Sequence, residues 1–244
     1  MANTIQYSFK RYEKKYMLTW EQHEALLRSI GMRLKADAYP TYTICNIYYD
    51  TDDYRLIRAS LEKPVYKEKL RVRSSGVPGE NDRVFVELKK KFDGVVYKRR
   101  VTTELFRVEP FLSGLPDGDS FGQIGREIRW FQHCNRTVPK VFIGYDRTAF
   151  AGVDDPDLRV TFDTKLRWRT TELDLARGDQ GQPLLPDSAV LMEIKLPGVC
   201  PLWLSRALSA LAIYPTSFSK YGACYRTQLL PAMRKTRKEG VFCA

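Results

Sequence analysis

The sequence lacks any run approaching the ~20 apolar residues needed to span a bilayer, so no transmembrane helix is expected. Residues 1–10 carry no apolar stretch, which argues against a secretory signal and toward a soluble, cytoplasmic protein. Histidine is scarce: His23 and His133 fall in segments that read as helix, without a second ligand at helical spacing, which argues against a histidine metal site. The five cysteines (Cys45, Cys134, Cys200, Cys224, Cys243) are widely separated and form no C-x-x-C pair, so they read as reduced thiols. There is no G-x-x-x-x-G-K-[ST] loop, no G-x-S-x-G elbow and no H-E-x-x-H pair. Gly118-Asp119-Ser120 reads only as a turn. Neither an internal repeat nor a low-complexity tract is present. Acid is also in short supply. Twenty-nine Asp and Glu residues face 40 Lys and Arg, a net charge of +11. That excess favours anionic partners such as nucleic acid, phosphate compounds or an acidic membrane surface, and does not choose among them. The basic run Arg234-Lys235-Thr236-Arg237-Lys238 reads as a solvated, frayed end.

What is present suits one globular domain over residues 1–244, its core ending near residue 230 and a basic tail following from 231. Strand-like runs occur at 6–16, 42–49, 65–74, 83–92, 95–104, 140–148, 158–169 and 189–196. Phe92-Asp93-Gly94 between two of them is a hairpin signal. Thr19 with Gln22 makes a capping box for a helix that stops at Gly31. Further short helices are expected at 51–61, at 125–135, after Pro201, and from Ser217 to a stop at Pro231. Residues 110–125 and 177–187 read as loops, the second as a candidate flap. The fold class expected is α+β: an eight-stranded antiparallel barrel flanked by short helices.

The polar faces of these strands are biased to one sign. Side chains alternate with period two along a strand. Lys67, Lys69, Arg71 and Arg73 therefore share one face, opposite Leu70 and Val72. Glu87, Lys89 and Lys91 oppose Val84, Val86 and Leu88, while Lys98 pairs with Arg100 and Arg167 with Arg169. Arg159 opposes Leu158 and Val160, and Glu193 with Lys195 opposes Met192, Ile194 and Leu196. A solvated face mixes signs, because like charges directly opposite each other are destabilising. Cations recurring on strand after strand fit a basic interior around a polyanion, with the apolar faces packed outward against helices. Solvated outer faces are the competing reading.

Arg11-Tyr-Glu-Lys-Lys-Tyr16, Ile47-Tyr-Tyr-Asp-Thr51, Lys69-Leu-Arg-Val-Arg73 and Val86-Glu-Leu-Lys89 follow one another along the chain. They are succeeded by Tyr97-Lys-Arg-Arg100, Gly144-Tyr-Asp-Arg147, Arg159-Val-Thr-Phe-Asp163, Met192-Glu-Ile-Lys195 and Ser217-Phe-Ser-Lys-Tyr221. In this order the set resembles a bacterial VTC domain, the polyphosphate-polymerase domain of the vacuolar transporter chaperone family, within the triphosphate tunnel metalloenzymes. The resemblance implies a tunnel that transfers the γ-phosphate of ATP to a growing polyphosphate chain with a divalent metal, manganese or magnesium. It implies Lys15, Arg71, Arg73, Lys89, Arg147 and Lys220 as the catalytic set. Lys98, Arg159 and Ser219 would bind phosphate, joined by Lys69, Arg100 and Lys195 from the same strand faces. Glu193 would hold the metal, with Glu87 and Glu13 assisting. A membrane-protein partner is a further implication; sequence-specific nucleic acid is not expected.

The hydrolytic branch has Glu-x-Glu-x-Lys on its first strand, where this chain has Arg11-x-Glu13-x-Lys15. One metal-binding carboxylate is thus replaced by a cation, which favours polymerisation over triphosphate hydrolysis. Hydrolysis in the same tunnel, and a non-catalytic polyphosphate- or RNA-binding module, stay open as alternatives. Simpler roles compete locally as well. Glu193 could be a plain salt bridge to Lys195, and Ser217 or Ser219 a helix cap. Tyr12, Tyr16, Tyr48, Tyr49 and Tyr97 could stack a base or simply fill the wall.

Overall fold

A computed structural model of the chain describes residues 12–93, 95–114, 121–196 and 198–239. Arg11, the Gly118-Asp119-Ser120 turn and Cys243 lie outside the described residues. The strands are β1 (Tyr12–Thr19), β2 (Leu34–Asp50), β3 (Tyr66–Ser75), β4 (Arg83–Phe92) and β5 (Val95–Glu104). They continue as β6 (Val138–Gly152), β7 (Arg159–Arg169), β8 (Gln182–Pro183), β9 (Ala189–Leu196) and β10 (Pro215–Thr216). The α-helices are α1 (Trp20–Ile30), α2 (Arg55–Leu61), α3 (Val108–Leu112), α4 (Gly122–Asn135), α5 (Leu202–Ala210), α6 (Lys220–Cys224) and α7 (Leu230–Glu239). The class is α+β with one large antiparallel sheet, ordered β10-β1-β9-β7-β6-β2-β3-β4-β5, with β8 on β7. The eight expected strands are its eight long ones, but the order runs from β10 to β5 with no pairing of its two ends among the described residues, so the expected barrel is not closed there. The sheet holds ten because the two-residue β8 and β10 join it.

The chain divides into two units: Met1–Tyr42 with Asp146–Thr164 and Leu185–Phe218, and Thr43–Tyr145 with Lys165–Leu184 and Ser219–Ala244. In the first, Tyr16 and Leu18 of β1, Val160 and Phe162 of β7, and Met192 and Ile194 of β9 form one buried cluster. Leu26 and Ile30 of α1 and Leu204 and Leu208 of α5 belong to the same cluster. In the second, Leu70, Val72, Val86, Leu88 and Val101 are buried with Phe111 of α3 and Ile128 and Phe131 of α4. Each such side chain contributes about 1.5–3 kcal/mol when fully buried. A slip of one residue would put lysines in its place, so the apolar positions fix the strand register. The expected alternation thus holds: in both units the apolar faces meet helices.

Several boundaries differ from the sequence-based expectation. β2 starts at Leu34 rather than near 42, and Pro40 is what disguises its first half, since proline weakens a strand reading. Residues 110–125 are not one loop. Pro110 sits in the first turn of α3, where its missing N–H costs no intrahelical bond, and α4 begins at Gly122. Nor does the last helix stop at Pro231. A π-helical stretch, Tyr225–Leu229, precedes α7, and its shifted hydrogen-bond register lets the chain pass through proline to Glu239. The basic run at 234–238 is therefore helical rather than frayed. The expected flap at 177–187 is tied down. Arg169 donates to the carbonyls of Gln180 (2.7 Å), Gly178 (3.1 Å) and Asp174 (3.2 Å), and Arg167 grips the Asp179 carboxylate at 2.6 Å. Both arginines, read as part of the basic interior, hold this loop instead.

The capping box forms as expected: Gln22 N donates to Thr19 Oγ1 (3.2 Å) and Thr19 N to Gln22 Oε1 (3.1 Å). The hairpin does too, with Phe92 opposite Val95. His23 packs edge-on against Phe162 and His133 stacks on Trp130. Tyr16 joins the buried core and Tyr49 packs against it in the second unit. Among the described residues no helix is long and apolar enough to cross a membrane.

Candidate functional site

In the second unit, β3, β4 and β5 place the expected basic residues in cross-strand rows. Arg71 pairs with Glu87 and Glu87 with Arg100; Lys69 pairs with Lys89 and Lys89 with Lys98. The first row is built around a single carboxylate, 1% exposed. Arg71 donates to Glu87 Oε2 from Nε (2.9 Å) and Nη2 (2.7 Å). Arg100 reaches Oε1 from Nε (2.9 Å) and Nη2 (2.8 Å), Lys98 Nζ reaches it at 2.8 Å and Arg73 Nη2 at 3.5 Å. Burial alone would raise the Glu87 pKa, but Arg71, Arg73 and Lys98 outweigh it and hold the carboxyl down to about 2. Four cations against one anion leave three positive charges on this face. Phe85, one pair along, carries the guanidinium groups of Arg73 and Arg100 at 4.9 and 4.6 Å from its ring centre. The second row has lysine on all three strands.

Ser219 and Lys220 join this cluster at the start of α6. Ser219 Oγ accepts from Gly222 N (3.2 Å) as an N-cap and from Lys69 Nζ (3.1 Å), so cap and cation contact coexist. Lys220 Nζ lies 4.1 Å from the centre of the Tyr145 ring. Asp50 anchors the same region: it accepts from Leu56 N (2.9 Å), Ile57 N (3.0 Å) and the buried Tyr221 hydroxyl (2.9 Å). Tyr221 stacks on Tyr48, the cross-strand neighbour of Arg71. Tyr221→Phe removes a buried hydrogen bond to a charged group, and is expected to lower stability by about 1.5–3 kcal/mol in urea denaturation.

In the first unit, the β1–β9 register sets Glu13 opposite Lys195 and Lys15 opposite Glu193, so the four make an alternating square. Lys15 pairs with Glu13 at 3.2 Å and Lys195 with Glu193 at 2.9 Å; Lys15 Nζ also approaches the Phe218 carbonyl at 3.4 Å. Burial opposes ionisation of Glu193, yet Lys195, Lys15 and Arg147 keep its carboxyl well below the usual range. Arg147 makes a two-pronged fork onto the fully buried Asp163, at 2.6 and 2.8 Å. Arg159 donates to Asp37 at 2.8 Å. Thr161, opposite Glu193 on β7, has a buried hydroxyl without a hydrogen-bond partner among the described residues.

Every expected site residue thus lies on a strand face turned away from the apolar core or at the start of α6. Among the described residues no three acidic, histidine or cysteine side chains converge as metal ligands. Sequence reading missed Asp163, Asp50, Tyr221 and Phe85 as supports. Asp163, Asp50 and Tyr221 stood inside quoted motifs, but nothing in one dimension shows that Tyr221 meets Asp50.

The antiparallel α+β fold is shared with solved structures. A candidate adenylate cyclase of Bacillus halodurans aligns with TM-score 0.50 and 13% identity, over 85% of this chain and 92% of that one. A candidate adenylyl cyclase of Hippeastrum, described as having a dominant triphosphatase activity, aligns with TM-score 0.49 and 15% identity, over 88% and 94%. No curated protein matches the chain. The model of the VTC domain matches residues 10–229, and the chain belongs to that family.

Proposed function

We propose that this chain is an ATP-dependent polyphosphate polymerase. The observation that carries the reading is the β3–β5 face, where four cations converge on Glu87 beside a row of three lysines. Such a face is costly without an anion. Phosphoryl transfer asks chiefly for the donor and acceptor to be held in line with their charge neutralised. Glu87 fixes the guanidinium planes of Arg71 and Arg100, whose remaining N–H groups grip phosphate oxygens in pairs. Both Glu87 oxygens are taken by these cations, so its role is to position them, not to bind metal. Lys69, Lys89 and Lys98 add point charge along the chain of phosphates, with Lys220 and Ser219 at the helix start. In the other unit Lys15, Arg147, Arg159 and Lys195 play the same part.

A divalent ion fits Glu193. One or two carboxylates suffice where substrate phosphates complete the shell, and Glu13 lies on the same face, with the unmatched Thr161 hydroxyl across from Glu193. Manganese or magnesium held there would neutralise charge on the transferring group. The protein groups hold the substrate and need move no proton.

Incubation with ATP and manganese should yield polyphosphate ladders on a stained gel. Orthophosphate release without ladders would make the chain a triphosphatase, and binding without turnover a polyphosphate-binding module; either result overturns the proposal. A pH effect is also expected. Burial, aided by Arg100 and Arg71 and opposed by Glu87, lowers the Lys98 pKa from 10.5 to about 8. Tripolyphosphate affinity should therefore fall as pH rises through about 8. Lys98→Arg should flatten that profile, as followed by calorimetry.

A further inference from the structure

The apolar face of β3, β4 and β5 runs further than the helix that covers it. Leu88 and Val101 are buried with Ile128 and Phe131 of α4. Glu127 of the same helix marks the edge of that cover, holding Arg99 (3.1 Å) and Lys90 (3.6 Å). Past this edge the face continues with Tyr97, in the row of Lys90, and then with the row Tyr66–Phe92–Val95. These four residues are 43% to 54% exposed, and Val65 and Val96 at the same end are 65% and 47% exposed. Apolar residues scattered singly over a surface need no explanation. Six gathered at one end of a sheet mark a contact surface.

The charges beside this patch select its partner. On the other side of the sheet, at the same end, Lys67 stands opposite Lys91 in the row of Val96. Burial first, and then Lys91, Lys63 and Lys89, push the Lys67 pKa down, so these cations lie close together. Of the nearby acids, Glu68 is held by Lys90 at 3.9 Å, and Asp93 sits at the turn with its N–H on the Val65 carbonyl (3.0 Å). A second copy of this chain would set lysine against lysine, which is unfavourable. Aromatic rings beside lysines match the boundary of a lipid bilayer. There rings sit at headgroup level, and lysine stems lie along apolar surface while their ammonium groups stay in the polar layer. An acidic leaflet adds an attraction that salt screens.

We infer that this end of β3–β5 is a membrane-surface contact for an anionic bilayer. Tyr66, Phe92, Val95 and Tyr97 enter the headgroup boundary end-on, while Lys63, Lys67 and Lys91 engage the lipid phosphates. The contact lies on the surface and spans nothing. It is independent of the polymerase reading, because none of the apolar residues faces the Glu87-centred cluster.

The test is sedimentation of the full chain with vesicles. Wild type should sediment with phosphatidylcholine–phosphatidylserine vesicles, less with phosphatidylcholine alone, and less as salt is raised. Phe92→Ser with Val95→Ser should weaken partitioning to the anionic vesicles about tenfold, the scale for withdrawing two half-exposed apolar side chains. Its unfolding temperature should stay near that of wild type. Val95→Trp, which enlarges the apolar surface, should strengthen partitioning and serves as the second variant. No sedimentation with anionic vesicles would overturn the contact. So would equal partitioning by wild type and both variants, which would reduce binding to the general attraction of a basic chain. A dimer of wild type in light scattering that the double serine variant abolishes would also overturn it, making the patch an interface between copies. Ladders from ATP without vesicles should be the same in wild type and variants, so failure of the polymerase assay leaves this comparison standing.

Discussion

Glu87→Ala is expected to lower the stability of the folded chain by about 3 kcal/mol, the scale for removing one partner of a buried ion pair. The residue is 1% exposed, and Arg71, Arg73, Lys98 and Arg100 all converge on it. Without it, four cations repel one another with no internal counter-ion. Lys98 and Arg100 are the more exposed and can turn to water; Arg71 and Arg73 are held by the strand and pay most of the cost. An added anion should restore what the carboxylate supplied. Tripolyphosphate is therefore expected to raise the unfolding temperature of the variant more than that of wild type, read by thermal denaturation with and without ligand. The acid limb gives a second readout. The Glu87 pKa is lowered in the folded chain from 4.5 to about 2. The stability it contributes is full above pH 4.5 and lost as pH falls through about 2. Glu87→Ala should lose that part of the acid-unfolding profile. An unchanged profile, or a variant as stable as wild type, would mean that the cluster is not held by Glu87.

Glu193→Ala should separate turnover from binding. Loss of the carboxylate proposed to hold the divalent ion removes several kcal/mol of charge stabilisation, a drop of roughly 10³-fold in chain synthesis. Its partners Lys15 and Lys195 then lose a competing anion. Tripolyphosphate affinity without metal should accordingly stay level or rise, while manganese-dependent ladders vanish. A plain salt bridge to Lys195 predicts the reverse: modest change in turnover and no change in metal dependence. Calorimetric titration of manganese into ATP-loaded protein, beside gel assays of the same variant, distinguishes the two.

The basic faces were legible because strand alternation is local. Lys67, Lys69, Arg71 and Arg73 project together whatever the rest of the chain does. The same locality made the α1 capping box, the Phe92–Val95 hairpin and the start of α5 after Pro201 readable. It also explains the errors. A proline is a break in one dimension, so the first half of β2 and the passage through Pro231 were invisible. Arg167 and Arg169 looked like members of the anion-facing set because alternation cannot see that residues 174–180 fold back to take up their donors.

By itself, then, the sequence determined the sign of the charge, the faces that carry it and the family to which the chain belongs. Only the tertiary structure decided how that charge is arranged. It buried Glu87 among four cations, a convergence that the linear motifs do not show. It set Lys15 against Glu193 and Glu13 against Lys195, and it put lysine opposite lysine at two successive pairs of β3 and β4. Charge and alternation are properties of neighbours along the chain. Which carboxylate meets which cation depends on strand register and burial, and those are fixed by the packing of the opposite, apolar face.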